Sequence, residues 1–266
     1  METDMPVGKN ELLRKITSKK EFSQLPEEDV LLAFRQFDKG NLTDEEKVKL
    51  TRDLLRKVYT AFLSQKLLNF KDKNTEWFLN KHLSTRERIP YYGQIYKKIL
   101  EGLPEKVNIY DLGCGTNGFS YPYFKRAGFE ANYKGVEAVG QIVETQEKFF
   151  EKEKQKKASF LHESLFDIEK IKRIIKEDKG VKVAFLFKVI DSLEMIKHDY
   201  SKKFLDEITP LVDRVAVSFA TRSMMKRKKF FADRTWIKKF INSNFNLINS
   251  FELGNEEYLI FSKKDL

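Results

Sequence analysis

The stretch "YDLGCGTNGFS", residues Tyr110–Ser120, places three glycines and an aspartate directly after a short apolar segment. A loop this rich in glycine lets the backbone approach a ligand or another part of the chain closely. Gly113, Gly115 and Gly118 also fit the dinucleotide pattern G-x-G-x-x-G, which is weak evidence on its own. Three interpretations are open at this point: a dinucleotide site, a site for a nucleoside-like methyl donor, and a turn that binds nothing.

The sequence that follows residue 105 alternates between strand and helix patterns. Four short apolar segments predict strands: "KVNIYDLG", "YKGVEAV", "VAFLFKVI" and "DRVAVSFA". Helical patterns lie between them, including "GQIVETQEKFFEKEKQKK" and "IEKIKRIIKE". This alternation predicts an α/β fold with a doubly wound, mostly parallel sheet. Ligands of such sheets bind at the carboxyl ends of the strands, which is where the glycine loop falls.

The C-terminal segment "FNLINSFELGNEEYLIFSK" contains two further strand patterns around a Gly254–Asn255 turn. They predict an antiparallel hairpin that closes the sheet. Such a hairpin is expected in methyltransferases that use S-adenosylmethionine (SAM), and dinucleotide-binding dehydrogenase domains generally lack it. The ending therefore favours the methyl-donor interpretation of the loop.

Residues 1–105 are predicted to be helical. The segment "TDEE" at Thr43–Glu46 is a capping-box pattern, and the segments "PEEDVLLAFRQF" and "NTEWFLNKHL" predict two further helices. An apolar stripe at helical spacing follows the capping box and is expected to be core. Its members are Val48, Leu50, Leu54, Leu55, Val58, Phe62 and Leu63.

Composition limits the class of protein. A hydrophobic content of 41% predicts a globular chain, and a single cysteine and three histidines argue against a disulfide framework or a His/Cys metal centre. The polar N-terminus has no apolar region of a secretory signal, and the run "VAFLFKVI" is too short to span a membrane. We therefore expect a soluble, cytoplasmic protein with no membrane span and no metal.

The positive charge is concentrated in one segment. The chain has a formal net charge of +10, and nine basic residues and a single acidic residue lie in residues 214–239. Such a cluster is typical of a surface that binds a polyanion, because phosphate contacts release counterions. Aromatic residues within the cluster favour nucleic acid, while a solvated helix face is an equally good explanation of the lysines.

Two acidic residues stand out beside the loop. Asp111 lies two residues before the first glycine, where a carboxylate suits the ammonium group or ribose of SAM and offers nothing to a pyrophosphate. Glu137, at the end of the next predicted strand, could accept both hydroxyls of a ribose. The alternative for Asp111 is that it caps the following turn.

The segment "HLSTRERIP", which begins at His82, has two interpretations. Ser84 and Glu87 fit a second capping box. Arg86 or Arg88 could instead pair bidentately with the carboxylate of a methyl donor. The sequence pattern alone leaves both open.

The segments "STRER", "DLGCGTN", "FLFKVIDSLE" and "VAVSFATRS" occur in the order and spacing of one family. From about His82 to the C-terminus, the chain resembles the aminoglycoside-resistance ribosomal RNA methyltransferases of the Arm/Rmt type. These enzymes methylate N7 of a guanine in the decoding region of 16S rRNA. The resemblance implies the seven-stranded, Rossmann-like methyltransferase sheet for residues 84–266, SAM as cofactor, and a helical RNA-binding extension at residues 1–83.

The resemblance also implies roles for individual residues. At the methionine end of the donor, it implies contacts from His82, Ser84 and Arg86, with Gly113, Gly115 and Asn117 lining the loop. For the nucleoside, it implies that Glu137 holds the ribose and that Ser164 and Leu165 flank the adenine. Phe187 is implied to face the gap between donor and guanine. On the substrate side, it implies that Lys188 faces the same gap, that Ser218, Thr221, Arg222 and Ser223 shape the base pocket, and that the basic residues Lys226, Arg227, Lys228 and Lys229 bind RNA.

The expected function is thus methyl transfer from SAM to guanine N7 in 16S-type rRNA, with the 30S ribosomal subunit as partner and a monomeric enzyme. No catalytic acid or base is expected. Alternatives are a methyltransferase of another RNA such as tRNA, a non-catalytic ribosome- or RNA-binding protein, and a nucleotide-dependent oxidoreductase. Ala220 and Gly118 stand where the family often has proline. The departure at Ala220 touches the presumed target pocket, whereas the departure at Gly118 affects the rigidity of the loop only slightly. Whether the enzyme confers resistance or modifies the RNA of its own host is left open.

Overall fold

The computed structural model describes residues 7–60, 73–221 and 234–264. They contain a seven-stranded sheet with the order β3-β2-β1-β4-β5-β7-β6, in which β7 alone runs antiparallel to its two neighbours. The strands are β1 Lys106–Leu112, β2 Glu130–Glu137, β3 Ala158–His162, β4 Lys182–Phe187, β5 Arg214–Ala220, β6 Phe245–Leu253 and β7 Glu256–Lys263. The predicted fold class, a doubly wound and mostly parallel sheet closed by a C-terminal hairpin, is confirmed.

Twelve α-helices surround this sheet in the described part of the chain. They are α1 Val7–Thr17, α2 Glu27–Arg35, α3 Asp44–Leu55, α4 Thr75–Lys81, α5 Leu83–Arg88, α6 Tyr92–Leu100, α7 Pro122–Arg126, α8 Gly140–Lys152, α9 Ile168–Lys176, α10 Ile190–Ile196, α11 Tyr200–Ile208 and α12 Thr235–Asn244. A π-helical turn, Arg56–Thr60, continues α3. No described helix has the length and apolarity needed to cross a membrane.

The predicted capping box begins α3. The Glu46 N–H donates to Thr43 Oγ1 (3.3 Å), and the Thr43 N–H donates to Glu46 Oε2 (2.8 Å). Each side chain thus accepts a hydrogen bond from a backbone N–H at the start of the helix, where these groups have no partner within the helix itself. Two members of the predicted stripe, Phe62 and Leu63, lie outside the described residues.

The N-terminal helices pack on both faces of the sheet. Leu13, Ile16 and Phe34, from α1 and α2, belong to the same buried cluster as Val136 and Leu186 of the strands. Helices α4 and α6 contribute to the cluster on the opposite face. The domain boundary predicted between residues 83 and 84 stays a prediction. Residues from both sides of it pack together in these two buried clusters.

Strand β3 has no counterpart among the strand segments predicted from the local pattern. It is an edge strand that pairs with β2 only, and within it Phe160 alone is buried. A five-residue strand with one buried side chain carries too little alternation to be recognised.

The closing hairpin turns where the sequence predicts. Gly254 and Asn255 have φ angles of 61° and 63°, the pair of positive values that a two-residue type I′ turn requires. The turn packs against the segment after α5, because a Cβ on Gly254 would lie 2.9 Å from Tyr91. The hairpin therefore delivers the first residue of β7, Glu256, to the carboxyl edge of the parallel strands.

Candidate functional site

The glycine loop follows β1 at the point where the strand order reverses, between β1 and β4. This is the place where open α/β sheets leave a crevice for ligands. Gly113 and Gly115 have φ angles of 75° and 50°, a conformation that favours glycine. A Cβ on Gly113 would lie 2.8 Å from Val189, so this glycine is also required by packing, whereas the space beside Gly115 is open.

Asp111 is buried at the end of β1 with one oxygen satisfied and one free. Its Oδ2 accepts hydrogen bonds from Asn117 Nδ2 (2.7 Å) and Tyr133 Oη (2.6 Å). Its Oδ1 has no hydrogen-bond partner among the described residues, and burial raises the pKa of the carboxyl group. The two donors are side chains, so Asp111 does not cap the following turn, and that alternative is wrong. The arrangement suits a cationic or hydroxyl donor from a ligand.

Glu137 ends β2 on the opposite side of the loop. Its Oε2 accepts the N–H of Gly115 (2.7 Å) and its Oε1 accepts the N–H of Val139 (2.9 Å). Burial raises the pKa of Glu137, against these backbone hydrogen bonds. Each carboxylate oxygen can accept more than one hydrogen bond, so the residue fixes the loop and retains capacity for the hydroxyls of a ligand.

The segment after β3 contacts both the loop and the N-terminal helices. Leu165 would lie 3.6 Å from a Cβ on Gly113. Ser164 donates its hydroxyl to Oδ1 of Asp29, a buried residue of α2 whose Oδ2 accepts from Tyr59 Oη (2.6 Å). Burial raises the pKa of Asp29 to about 6. Sequence reasoning missed Asp29, because an acid in the first turn of a helix is explained by the helix dipole alone.

Helix α5 does not begin with the second capping box that the sequence suggested. His82 is the N-cap residue, and Ser84 lies inside the helix with its Oγ 2.7 Å from His82 Nδ1. The capping alternative for Ser84 and Glu87 is therefore wrong. Burial, together with the charges of Arg88 and Lys188, lowers the pKa of His82 to about 3, so this imidazole is neutral at physiological pH.

The two arginines of α5 differ in their environments. Arg86 is exposed, whereas Arg88 is 2% exposed. The Arg88 guanidinium donates to both carboxylate oxygens of Glu256 (2.9 and 2.8 Å) and to Oδ1 of Asn117 (3.3 Å). It also lies 5.0 Å from the ring centre of Phe187. Arg88 thus joins the glycine loop, β4 and β7.

Lys188 follows β4 and is directed into the protein. Its side chain is 11% exposed, and its Nζ lies 3.2 Å from Glu256 Oε2 and 3.4 Å from Glu87 Oε2. The Lys188 ammonium is therefore largely withdrawn from solvent. Ser218, at the end of β5, donates its hydroxyl to the same Glu256. Sequence reasoning missed Glu256, although the first glutamate of the segment "EEYLIF", directly after the Gly254–Asn255 turn, was a signal.

The remaining substrate-side predictions are only partly within the described residues. Thr221 donates its hydroxyl to Glu252 (3.0 Å), and its N–H donates to the carbonyl of Asn255 (2.9 Å) at the hairpin turn. The predicted residues that lie outside the described ranges are Arg222, Ser223, Lys226, Arg227, Lys228 and Lys229.

The chain is similar in sequence to known proteins of one kind. The family described as "Ribosomal RNA methyltransferase (FmrO)" matches residues 71–243. A 16S rRNA (guanine(1405)-N(7))-methyltransferase from Proteus mirabilis is 26% identical over 200 residues, which cover 71% of this chain and 68% of the relative. A protein of the same description from Micromonospora rosea is 30% identical over 103 residues, which cover 32% of this chain and 37% of the relative.

Solved structures share the fold. The 16S rRNA methylase RmtB superposes with a TM-score of 0.73 at 19% identity, covering 98% of this chain and 100% of its own. The 16S rRNA methyltransferase RmtF, solved in complex with S-adenosyl-L-homocysteine, superposes with a TM-score of 0.73 at 17% identity and the same coverage. At these identities, the likeness establishes the arrangement of helices and strands.

Proposed function

Because the chain belongs to the FmrO family of SAM-dependent ribosomal RNA methyltransferases, we propose that it transfers a methyl group from SAM to N7 of a guanine in the decoding region of 16S-type rRNA. The names of its curated relatives support this target. The observation that carries the donor site is the buried Oδ1 of Asp111, which lacks a partner among the described residues and lies beside the glycine loop.

The chain has suitable residues for each part of the donor. Asp111 Oδ1 would accept from the ammonium group, Glu137 would accept from the ribose hydroxyls, and the backbone at Gly113 and Gly115 would form the floor. Asn117 orients Asp111 through its hydrogen bond to Oδ2. The other proposed donor contacts are His82, Ser84 and Arg86 at the methionine end, Ser164 and Leu165 at the adenine, and Phe187 beside the methyl group.

The reaction makes modest chemical demands on the side chains. Bound SAM supplies a methyl group on a sulfonium: the N7 lone pair forms the new N–C bond, the S–C electron pair stays on sulfur, and the positive charge passes to the base. N7 carries no proton, so no general base is needed. The task of the chain is to hold the base in a near-attack position after it leaves its stack, which costs a few kcal/mol.

The proposed base pocket lies on the β4–β5 side of the crevice. Ser218 and Thr221 would form its wall, and Arg222 and Ser223 would continue it. The basic tract at residues 226–229 and the N-terminal extension, residues 1–83, would bind the RNA backbone. We propose the assembled 30S subunit as the substrate of a monomeric enzyme.

The decisive experiment is incubation of the purified protein with 30S subunits and radiolabelled SAM, followed by borohydride–aniline cleavage and primer extension. A single stop in the decoding region is the expected result. Parallel reactions with bulk tRNA and with naked 16S rRNA test the choice of substrate.

Each other outcome selects a different function. Incorporation into tRNA in preference to 30S subunits would favour a methyltransferase of another RNA. SAM binding and RNA binding without incorporation into any RNA would indicate a non-catalytic binding protein. Stabilisation by NAD and none by SAM would point to an oxidoreductase, and would contradict the assignment of Asp111.

A further inference from the structure

Glu256 is the point at which the two sides of the crevice meet. It is fully buried, and three groups from three different elements share its carboxylate: Arg88 of α5, Lys188 after β4 and Ser218 of β5. Through Arg88 the same network reaches Asn117 in the glycine loop. A buried carboxylate with this many donors is fully satisfied, so the groups around it are held in one arrangement.

The charges in this network balance. Arg88 and Lys188 contribute two positive charges, and Glu256 and Glu87 contribute two negative charges. Burial alone would raise the pKa of Glu256, but the charges of Arg88 and Lys188 outweigh it and hold the pKa below its usual range. The carboxylate is therefore ionised throughout the physiological range, and the network as a whole is neutral. The nearby His82 is neutral as well.

This neutrality matters for the proposed reaction, on which the inference rests. The target base becomes positively charged as it is methylated, and an uncompensated cation in the pocket wall would oppose that change. Lys188 directly follows β4, the strand between β1 and β5, so its ammonium could be such an uncompensated cation. In the structure its ammonium is turned toward Glu256 and Glu87.

We propose that Glu256 is a positioning residue for methyl transfer, which keeps the charges of Lys188 and Arg88 paired so that the pocket does not repel the methylated base. It acts through these two side chains and does not touch the donor or the target. Its effect is thus expected on the rate of transfer, with little effect on the affinity for SAM.

The test compares three variants in single-turnover methylation of 30S subunits at saturating SAM and RNA. Glu256→Gln keeps the size of the residue and one of its two acceptor oxygens, and leaves the wall with one uncompensated positive charge; we expect its transfer rate to fall about tenfold or more. Adding Lys188→Met to Glu256→Gln removes that charge, and we expect most of the rate to return. Glu257→Gln is the matched control, because Glu257 is the next residue of β7 and pairs with Lys238 (2.6 Å) outside the network.

Calorimetric titration with SAM and a thermal melt accompany each rate. A merely structural role predicts that the double variant is at least as impaired as Glu256→Gln, since two contacts are broken in place of one. That result would overturn the inference, as would a Glu256→Gln rate within about twofold of wild type. If Glu256→Gln does not fold, the charge-balanced double variant still decides: a folded double variant that binds SAM normally but transfers about a hundredfold more slowly refutes the role.

The wild-type reaction separates this inference from the function on which it rests. An inactive wild type that binds SAM would overturn the proposed substrate and the role of Glu256 together. An active wild type with an unimpaired Glu256→Gln would overturn the role of Glu256 alone.

Discussion

Replacement of Asp29 by asparagine is expected to change how the free energy of unfolding depends on pH. The carboxylate lies in α2, 1% exposed, and accepts hydrogen bonds from Ser164 and Tyr59. Burial outweighs these hydrogen bonds and raises the pKa from 3.8 to about 6. The folded state therefore binds the proton more tightly than the unfolded chain. The stabilising contribution of Asp29 is present in full below pH 3.8 and is lost as the pH rises through about 6.

The magnitude follows from the size of the shift. A shift of about two pKa units corresponds to about 3 kcal/mol, of which roughly two thirds is lost between about pH 4.5 and 7.5. Asparagine cannot ionise, but it offers one acceptor oxygen to two hydroxyl donors, which costs about 1 kcal/mol at every pH. Asp29→Asn is thus expected to equal wild type near about pH 4.5 and to be about 2 kcal/mol more stable near about pH 7.5.

The assay is urea unfolding, followed by circular dichroism, of both proteins across this pH range. The wild-type curve alone cannot isolate Asp29, because His82 acts in the opposite direction. Burial lowers the pKa of His82 from 6.5 to about 3, so its contribution is present above pH 6.5 and is lost as the pH falls. Since His82 is present in both proteins, the difference between the two curves removes its effect.

Asp38, shortly after the end of α2, provides a control whose pKa is shifted in the opposite direction. A hydrogen bond from Lys9, with the charges of Lys9 and Lys47, lowers the pKa of Asp38. Its contribution is present in full above the ordinary pKa of 3.8 and is lost only as the pH falls below that value, so the difference between Asp38→Asn and wild type should stay nearly constant between about pH 4.5 and 7.5. A difference curve for Asp29→Asn that is as flat as that of Asp38→Asn, or that falls as the pH rises, would refute the reasoning.

Two further substitutions test the glycine loop. Asp111→Asn should lower the affinity for SAM about tenfold or more while the thermal stability is kept, because the free oxygen loses its charge; unchanged affinity in calorimetry would contradict the donor assignment. Gly118→Ala places a Cβ 2.3 Å from Gln146 and 2.4 Å from Phe160, and should cost about 1–3 kcal/mol in urea unfolding. Gly93→Ala, a helical position with open space, should instead stabilise by about 1 kcal/mol, and equal effects would contradict the packing argument.

Most of the fold could be predicted because its elements carry strong local patterns. The strands β1, β4 and β5 are short, largely apolar segments that are buried over nearly their whole length, as expected of strands covered on both faces. The Gly254–Asn255 turn is specified by two residues that accept positive φ. The edge strand β3 was missed because it has five residues and one buried side chain, which leaves too little alternation to recognise.

The site was predictable where one loop provides its parts and not where distant segments meet. Asp111, Gly113 and Glu137 follow from the strand–loop pattern. Asp29 and Glu256 come from the two ends of the chain, and their local contexts, a helix start and a hairpin, are complete explanations by themselves. The mistaken cap at Ser84 has the same origin: the local pattern fits, but the helix begins at His82.

The position of Glu256 also gives the closing hairpin a role beyond covering the sheet edge. In a parallel sheet, side chains reach the carboxyl edge only from strand ends and the loops after them. Strand β7 runs antiparallel, so its first residue lies at that edge, with Glu256 paired to Ala220 of β5. The side chain is thereby anchored in a regular ladder and not in a loop. A carboxylate that must balance two cations beside a reactive crevice is better held by such a strand, since small displacements would leave a buried charge unpaired. A lengthened turn at Gly254 is therefore expected to impair methyl transfer in single-turnover assays while SAM affinity is retained, and normal transfer would contradict this argument.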